Sequence, residues 1–105
     1  MMQIQINTDH NVEGREKFSE QVTRLIEGML SRWSEHITRL EVHISDENSD
    51  KSGKDDKRCL MEARLEGLQP VAVTHHAESL DQAIHGAAEK LKHRIENILG
   101  RLDQH

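Results

Sequence analysis

Residues 58–75 read RCLMEARLEGLQPVAVTH, and the fold turns on how this run is divided. Cys59, Met61, Ala63 and Leu65 alternate with Arg58, Glu62, Arg64 and Glu66. A period of two is that of a strand with one buried face; Leu60 is the lone apolar residue on the charged side. Gly67-Leu68 marks a tight turn. Gln69 to His75 then reads as a second strand, with Val71 and Val73, and His75 after them, pointing inward. Pro70 cannot donate to a ladder, so this strand belongs at a sheet edge.

The pattern extends in both directions. Residues 37–45, ITRLEVHIS, place Leu40, Val42 and Ile44 on one face and Arg39, Glu41 and His43 on the other. Residues 46–57, DENSDKSGKDDK, contain no apolar side chain and form a solvated connection. Gln3 to Asn7 is a further strand with Ile4 and Ile6 inward, and Thr8 to Gly14 is a polar link. From Glu13 to Trp33, ending near Ser34, Phe18, Val22, Leu25, Ile26, Met29, Leu30 and Trp33 recur at helical spacing. Ser79 opens a second helix to about Arg101. Its core face is Leu80, Ala83, Ile84, Ala87, Ala88, Leu91, Ile95, Ile98, Leu99 and Leu102.

Strands joined by short or polar links pair antiparallel, while the helical crossover after the first strand adds a parallel edge. Each strand has one apolar face, so both helices cover the same side. The expected architecture is α+β: a two-layer β-α-β-β-β-α sandwich, with a four-stranded sheet and two helices on one face. Its other sheet face is open. Residues 1–105 fit a single domain.

Composition narrows the function classes. One Phe, one Trp and no Tyr make the core aliphatic. No apolar run suits a membrane span or a signal-peptide core. A lone cysteine, Cys59, fits a reducing compartment, and the cytoplasm is the expected location. Fourteen Lys and Arg against nineteen Asp and Glu give a net charge of −5. That disfavours a generic nucleic-acid binder, unless the cations cluster.

Chemistry has little support. Eight histidines are present, but adjacent His75 and His76 point to opposite strand faces and His85 lies on the polar side of the last helix. No three converge as a metal would require. Asp46, Asn48 and Asp50 imitate the start of a calcium loop, yet Lys51 stands where glycine is needed and Lys57 where the bidentate glutamate is needed. Cys59 sits at an inward strand position, where burial makes a thiol inert. No phosphate-cradling glycine loop and no nucleophile elbow occur. No enzyme activity, cofactor or metal is expected.

The helices sort their charges. At about 100° per residue, Lys17, Gln21, Arg24, Gly28 and Arg32 form one strip beside the apolar face of the first helix. Glu16, Glu20 and Glu27 lie on another. In the second helix Gly86, Lys90, Arg94, Asn97 and Arg101 form a strip on the same rotational side, with Glu89, His93 and Glu96 outside it. Two basic stripes on neighbouring helices suit a phosphate backbone. Long basic side chains also border helix cores simply to cover apolar surface with their stems.

Residues 75–95, HHAESLDQAIHGAAEKLKHRI, combine a strand ending in His-Ala with Asp81, Ala83-Ile84 and Glu89-Lys90-Leu91. Together with the opening MQIQINTDHNVE, the helix from Glu13 and the strand order, this resembles the short form of the ribosome hibernation promoting factor and ribosome-associated inhibitor family. Its members are also called sigma-54 modulation proteins. The resemblance covers nearly the whole chain and implies a translation regulator. It would bind the small ribosomal subunit and its ribosomal RNA in the channel used by messenger and transfer RNA. Carried over by position, the RNA-binding residues would be Lys17, Arg24, Arg32, Lys90, Lys92, Arg94 and Arg101. The chain departs from the family in its interleaved acidic residues and its longer charged hairpin connection, and a short form is expected to lack the dimerisation domain of long members. With five or six effective cations, binding should fall steeply with salt. The alternative is a protein-interaction module of the same fold that has lost ribosome binding and forms a homodimer through the open sheet face, using Arg39, Glu41, Glu62 and Arg64.

Overall fold

A computed structural model describes residues 2–8, 15–46 and 57–103. The elements are β1 (Gln3–Thr8), α1 (Arg15–Met29), a 3-10 turn (Ser31–Trp33), β2 (Ile37–Asp46), β3 (Lys57–Leu65), β4 (Val71–Ala77) and α2 (Leu80–Asp103). The expected helix start at Glu13, the polar link before it, and residues 47–56 with their calcium-like Asn48 and Asp50 lie outside the described residues.

The sheet order is β1-β2-β3-β4. β1 runs parallel to β2, with Ile4 beside Leu40 and Ile6 beside Val42. β2–β3 and β3–β4 are antiparallel. The architecture is therefore the expected α+β sandwich, and the strand that follows Pro70 is an edge. Inward positions follow the alternation: Leu40, Val42, Ile44, Cys59, Met61, Ala63, Leu65, Val71 and Val73 are buried. They meet Val22, Ile26 and Leu30 of α1 and Ala83, Ile84, Ala87, Ala88, Leu91, Ile95 and Leu99 of α2 in one hydrophobic core. α2 lies over β3 and β4, and α1 lies beside α2.

Most strand and helix ends differ from the sequence reading by one or two residues, and the end of the first helix differs by more, for a local reason. The first helix does not run unbroken to Trp33. Its last turn tightens, with Trp33 N–H donating to the Leu30 carbonyl at 2.9 Å and Ser34 N–H to the Ser31 carbonyl at 3.3 Å. The hydroxyls of Ser31 and Ser34 donate to the carbonyls of Gly28 and Ser31, serving acceptors that the helix end leaves open. The tightened segment turns Trp33 into the core and delivers the chain to Ile37.

β4 begins at Val71 and runs two residues beyond His75, because His76 and Ala77 go on pairing with Arg58 and Lys57 of β3; Ala77 is buried. The last helix begins as expected: Ser79 Oγ accepts the N–H of Gln82 at 3.2 Å, an N-cap that satisfies one orphan donor. The turn between β3 and β4 places Gly67 at φ 74, a left-handed conformation that glycine adopts without a Cβ penalty.

Candidate nucleic-acid interface

The candidate cations all belong to the helix layer or its end. Lys17, Arg24, Arg32, Lys90, Arg94 and Arg101 are exposed and Lys92 is half-buried. Among the described residues, none of the seven pairs with a carboxylate. The acidic residues Glu16, Glu20, Glu27 and Glu89 are exposed as well, so sorting by strip rather than pairing by contact governs the charge pattern.

The strips face different surroundings. Gln21 of the α1 strip, with Phe18, Val22 and Leu25, lines a shallow cleft whose other wall is Asp81, Ile84 and His85 of α2. The α1 strip thus leans toward α2. On α2, the flank bearing Asp81 and His85 also carries Lys92, given about 100° per residue. Lys90, Arg94 and Arg101 lie on the opposite flank. That flank overhangs the sheet edge, as two contacts establish: Lys90 Nζ donates to the Thr74 carbonyl of β4 at 2.9 Å, and Gly86 abuts the ring of His75. Two rails of positive charge result, separated by the width of α2, about 10 Å. Lys17 and Arg24, with Lys92 on the flank of α2 that also bears Asp81 and His85, form one; Lys90, Arg94 and Arg101 form the other.

Arg32 is placed differently. The 3-10 turn takes it out of the α1 strip, and its guanidinium lies 4.7 Å from the centroid of the Trp33 ring. The ring face attracts the cation, and Arg32 remains exposed.

The histidines separate as strand geometry requires. His75 is half-buried under α2, while His76 on the other face and His85 on α2 are exposed. Among the described residues, no group of three or more His, Cys, Asp or Glu side chains could hold a metal ion. Burial pushes the Cys59 thiol up to about 12, the neighbouring Arg58 charge opposing the shift. A thiol held neutral at pH 7 is a poor nucleophile.

Sequence reasoning missed the seat formed by His75 and Gly86. A Cβ at position 86 would overlap the imidazole, so glycine is what lets α2 settle onto the β4 edge. A glycine inside a helix costs about 1 kcal/mol relative to alanine. That cost in mid-helix was the available signal that something packs closely there. Lys90 then fastens the same junction from the next turn, and the two contacts fix how Arg94 and Arg101 are aimed.

Residues 4–103 match the family model described as sigma 54 modulation protein / S30EA ribosomal protein. Among solved structures, the Protein Y N-terminal domain of Thermus thermophilus superposes with a TM-score of 0.66 at 18% identity, over 93% of this chain and 99% of that one. A ribosomal subunit interface protein from Coxiella burnetii also gives 0.66, at 13% identity, over 95% and 99%. At such identities the superpositions speak to the fold. No curated protein sequence is detectably similar to this chain. No helix among the described residues is long and apolar enough to cross a membrane.

Proposed function

Because the chain belongs to the family of sigma 54 modulation proteins and S30EA ribosomal proteins, we propose that it is a ribosome-associated translation regulator. It binds small-subunit ribosomal RNA through the two rails on its helix layer and acts in the cytoplasm, as a one-domain unit. The observation that carries this reading is that all seven candidate cations remain accessible without a carboxylate partner among the described residues, in a protein whose net charge is negative. Local arrangement, not the total, governs contact with a polyanion.

The mechanism is occlusion. Arg94 and Arg101 on one rail, and Lys17 and Arg24 on the other, contact phosphates on either side of the α2 ridge. Lys90 donates one of its three ammonium protons to Thr74 and keeps two for phosphate oxygens, so it is positioned and available together. Arg32, stacked on Trp33, presents its guanidinium to a further phosphate. The body of the domain then fills a channel that messenger and transfer RNA would otherwise use. Occlusion requires no bond to be made or broken.

The test is sedimentation with purified ribosomes at low and moderate salt. Co-sedimentation at low salt is expected, weakening by a slope of about 0.7 to 0.9 per phosphate contact in a log–log plot. No co-sedimentation at low salt would leave the alternative, an interaction module of the same fold without ribosome affinity.

A further inference from the structure

The sheet face turned away from the helices carries its own charge pattern, and strand register creates it. Arg39 on β2 stands opposite Arg64 on β3, and Glu41 stands opposite Glu62. Gln3 extends the arginine row onto β1, and Gln5 extends the glutamate row; Ala72 continues the glutamate row on β4. The next row is Asn7, His43, Leu60 and Thr74. The face is thus banded across the strands, one positive row beside one negative row. Like charges directly opposite on paired strands destabilise a sheet. Arg39 finds Glu41 along its own strand at 3.8 Å and bonds Gln5 of β1, and Glu41 also meets His43 at 3.8 Å. Glu62 and Arg64 have no ion pair among the described residues. The pattern is costly in one molecule and asks for charges from outside.

We propose that this face pairs with the same face of a second copy of the chain. A two-fold axis lying in the interface, parallel to the rows and midway between the arginine and glutamate rows, superposes unlike bands. It sets Arg39 of each copy over Glu41 of the other, and Arg64 over Glu62, in four reciprocal pairs. The rows are two residues, about 6.6 Å, apart, so the axis runs about 3.3 Å from each. An axis along the strands would instead set arginine on arginine. Charge therefore selects one arrangement, in which the facing strands run antiparallel, and an isologous contact of this kind closes at two copies.

The area sets the strength. Four strands at about 4.8 Å spacing and the two rows that the axis superposes give a patch of roughly 250 Å² per copy, about a third of the roughly 800 Å² per partner found in stable complexes. The dimer is accordingly weak and sensitive to salt. Its interface lies on the opposite side of the sheet from the helix rails, so it neither rests on the ribosome reading nor competes with it.

The experiment is sedimentation equilibrium of the full chain up to about 1 mM, a range that detects weak pairing, at low salt and at about 0.5 M salt. Three proteins are compared: the wild type, the single-sign variant Arg39→Glu/Arg64→Glu, and the reversed-band variant Arg39→Glu/Glu41→Arg/Glu62→Arg/Arg64→Glu. Circular dichroism checks that each is folded. The wild type should dimerise at low salt and weaken at least about tenfold in high salt. The single-sign variant should be monomeric. The reversed-band variant should pair with itself as the wild type does, because unlike rows still face one another. A wild type that stays monomeric at low salt overturns the proposal. So does a dimer indifferent to Arg39→Glu/Arg64→Glu, or a reversed-band variant that stays monomeric where the wild type pairs.

Discussion

The two faces of this protein spend the same residue types in opposite ways. On the helix layer, cations line up along each axis, with acids on a separate strip, so a long run of one sign is offered to the outside. On the open sheet face, the signs change every second residue along β2 and β3, so positive and negative rows alternate across the strands. The first pattern suits a polymer of uniform charge, and the second suits a surface banded like itself. The net charge of −5 describes neither face. Partners are selected by charge arrangement over distances comparable to a Debye length, about 8 to 10 Å, the scale of one strip or one row.

Exchanging the faces in a single assay gives the largest expected effect. Arg24→Glu/Lys90→Glu/Arg94→Glu should lower ribosome affinity at least about a hundredfold, since each reversal removes one phosphate contact and adds a repulsion. The reversed-band sheet variant should change it less than about threefold in the same sedimentation assay, as expected for charges beyond a Debye length. Equal losses from both would break the contrast between the faces.

The seat between the layers comes next. Gly86→Ala should destabilise the domain by about 1–3 kcal/mol, the usual cost of forcing a methyl into a packed site. His75→Ala in the same chain should recover much of that loss, measured as a double-mutant cycle in urea. Additive effects would show that the two residues do not meet.

Cys59 reports on the core that separates the faces. Its folded thiol is raised to about 12 from a reference of 9.0. Above pH 9 the unfolded chain releases this proton while the folded chain retains it, so the thiol's share of stability is intact below 9 and declines between 9 and about 12. Cys59→Ala should flatten that decline, and the native thiol should resist disulfide reagents at pH 8 until denaturant is added. Rapid labelling of the folded protein would mean that the two layers part easily. The smallest effect is expected at the cap: Ser79→Ala should cost about 1 kcal/mol, read as a lower urea midpoint.

Much of this was legible in the chain. The alternation in 58–75 gave β3, the turn at Gly67 and the edge placement of β4. The helical spacing of Val22, Ile26 and Leu30 gave the inner face of α1, and Ser79 gave the start of α2. These features depend on the few residues on either side, and period alone separates a strand from a helix. The strip positions of Lys90, Arg94 and Arg101 were legible for the same reason. The end of α1 was not: Trp33 lies on the apolar side in an α-helix and in a 3-10 turn alike, so spacing could not reveal that Arg32 leaves its strip to stack on Trp33.

The sequence by itself determined the alternation, the helix faces, the inert position of Cys59 and the separation of His75 from His76, because each follows from backbone geometry within one element. Tertiary structure decided what the charges confront. Whether Arg39 meets an acid or another arginine depends on the register between β2 and β3, a long-range pairing set by the packing of Leu40, Val42, Met61 and Ala63. Whether Lys90 points to open solvent or onto the Thr74 carbonyl depends on how closely α2 approaches β4, and that distance is set by a glycine at 86 and a ring at 75.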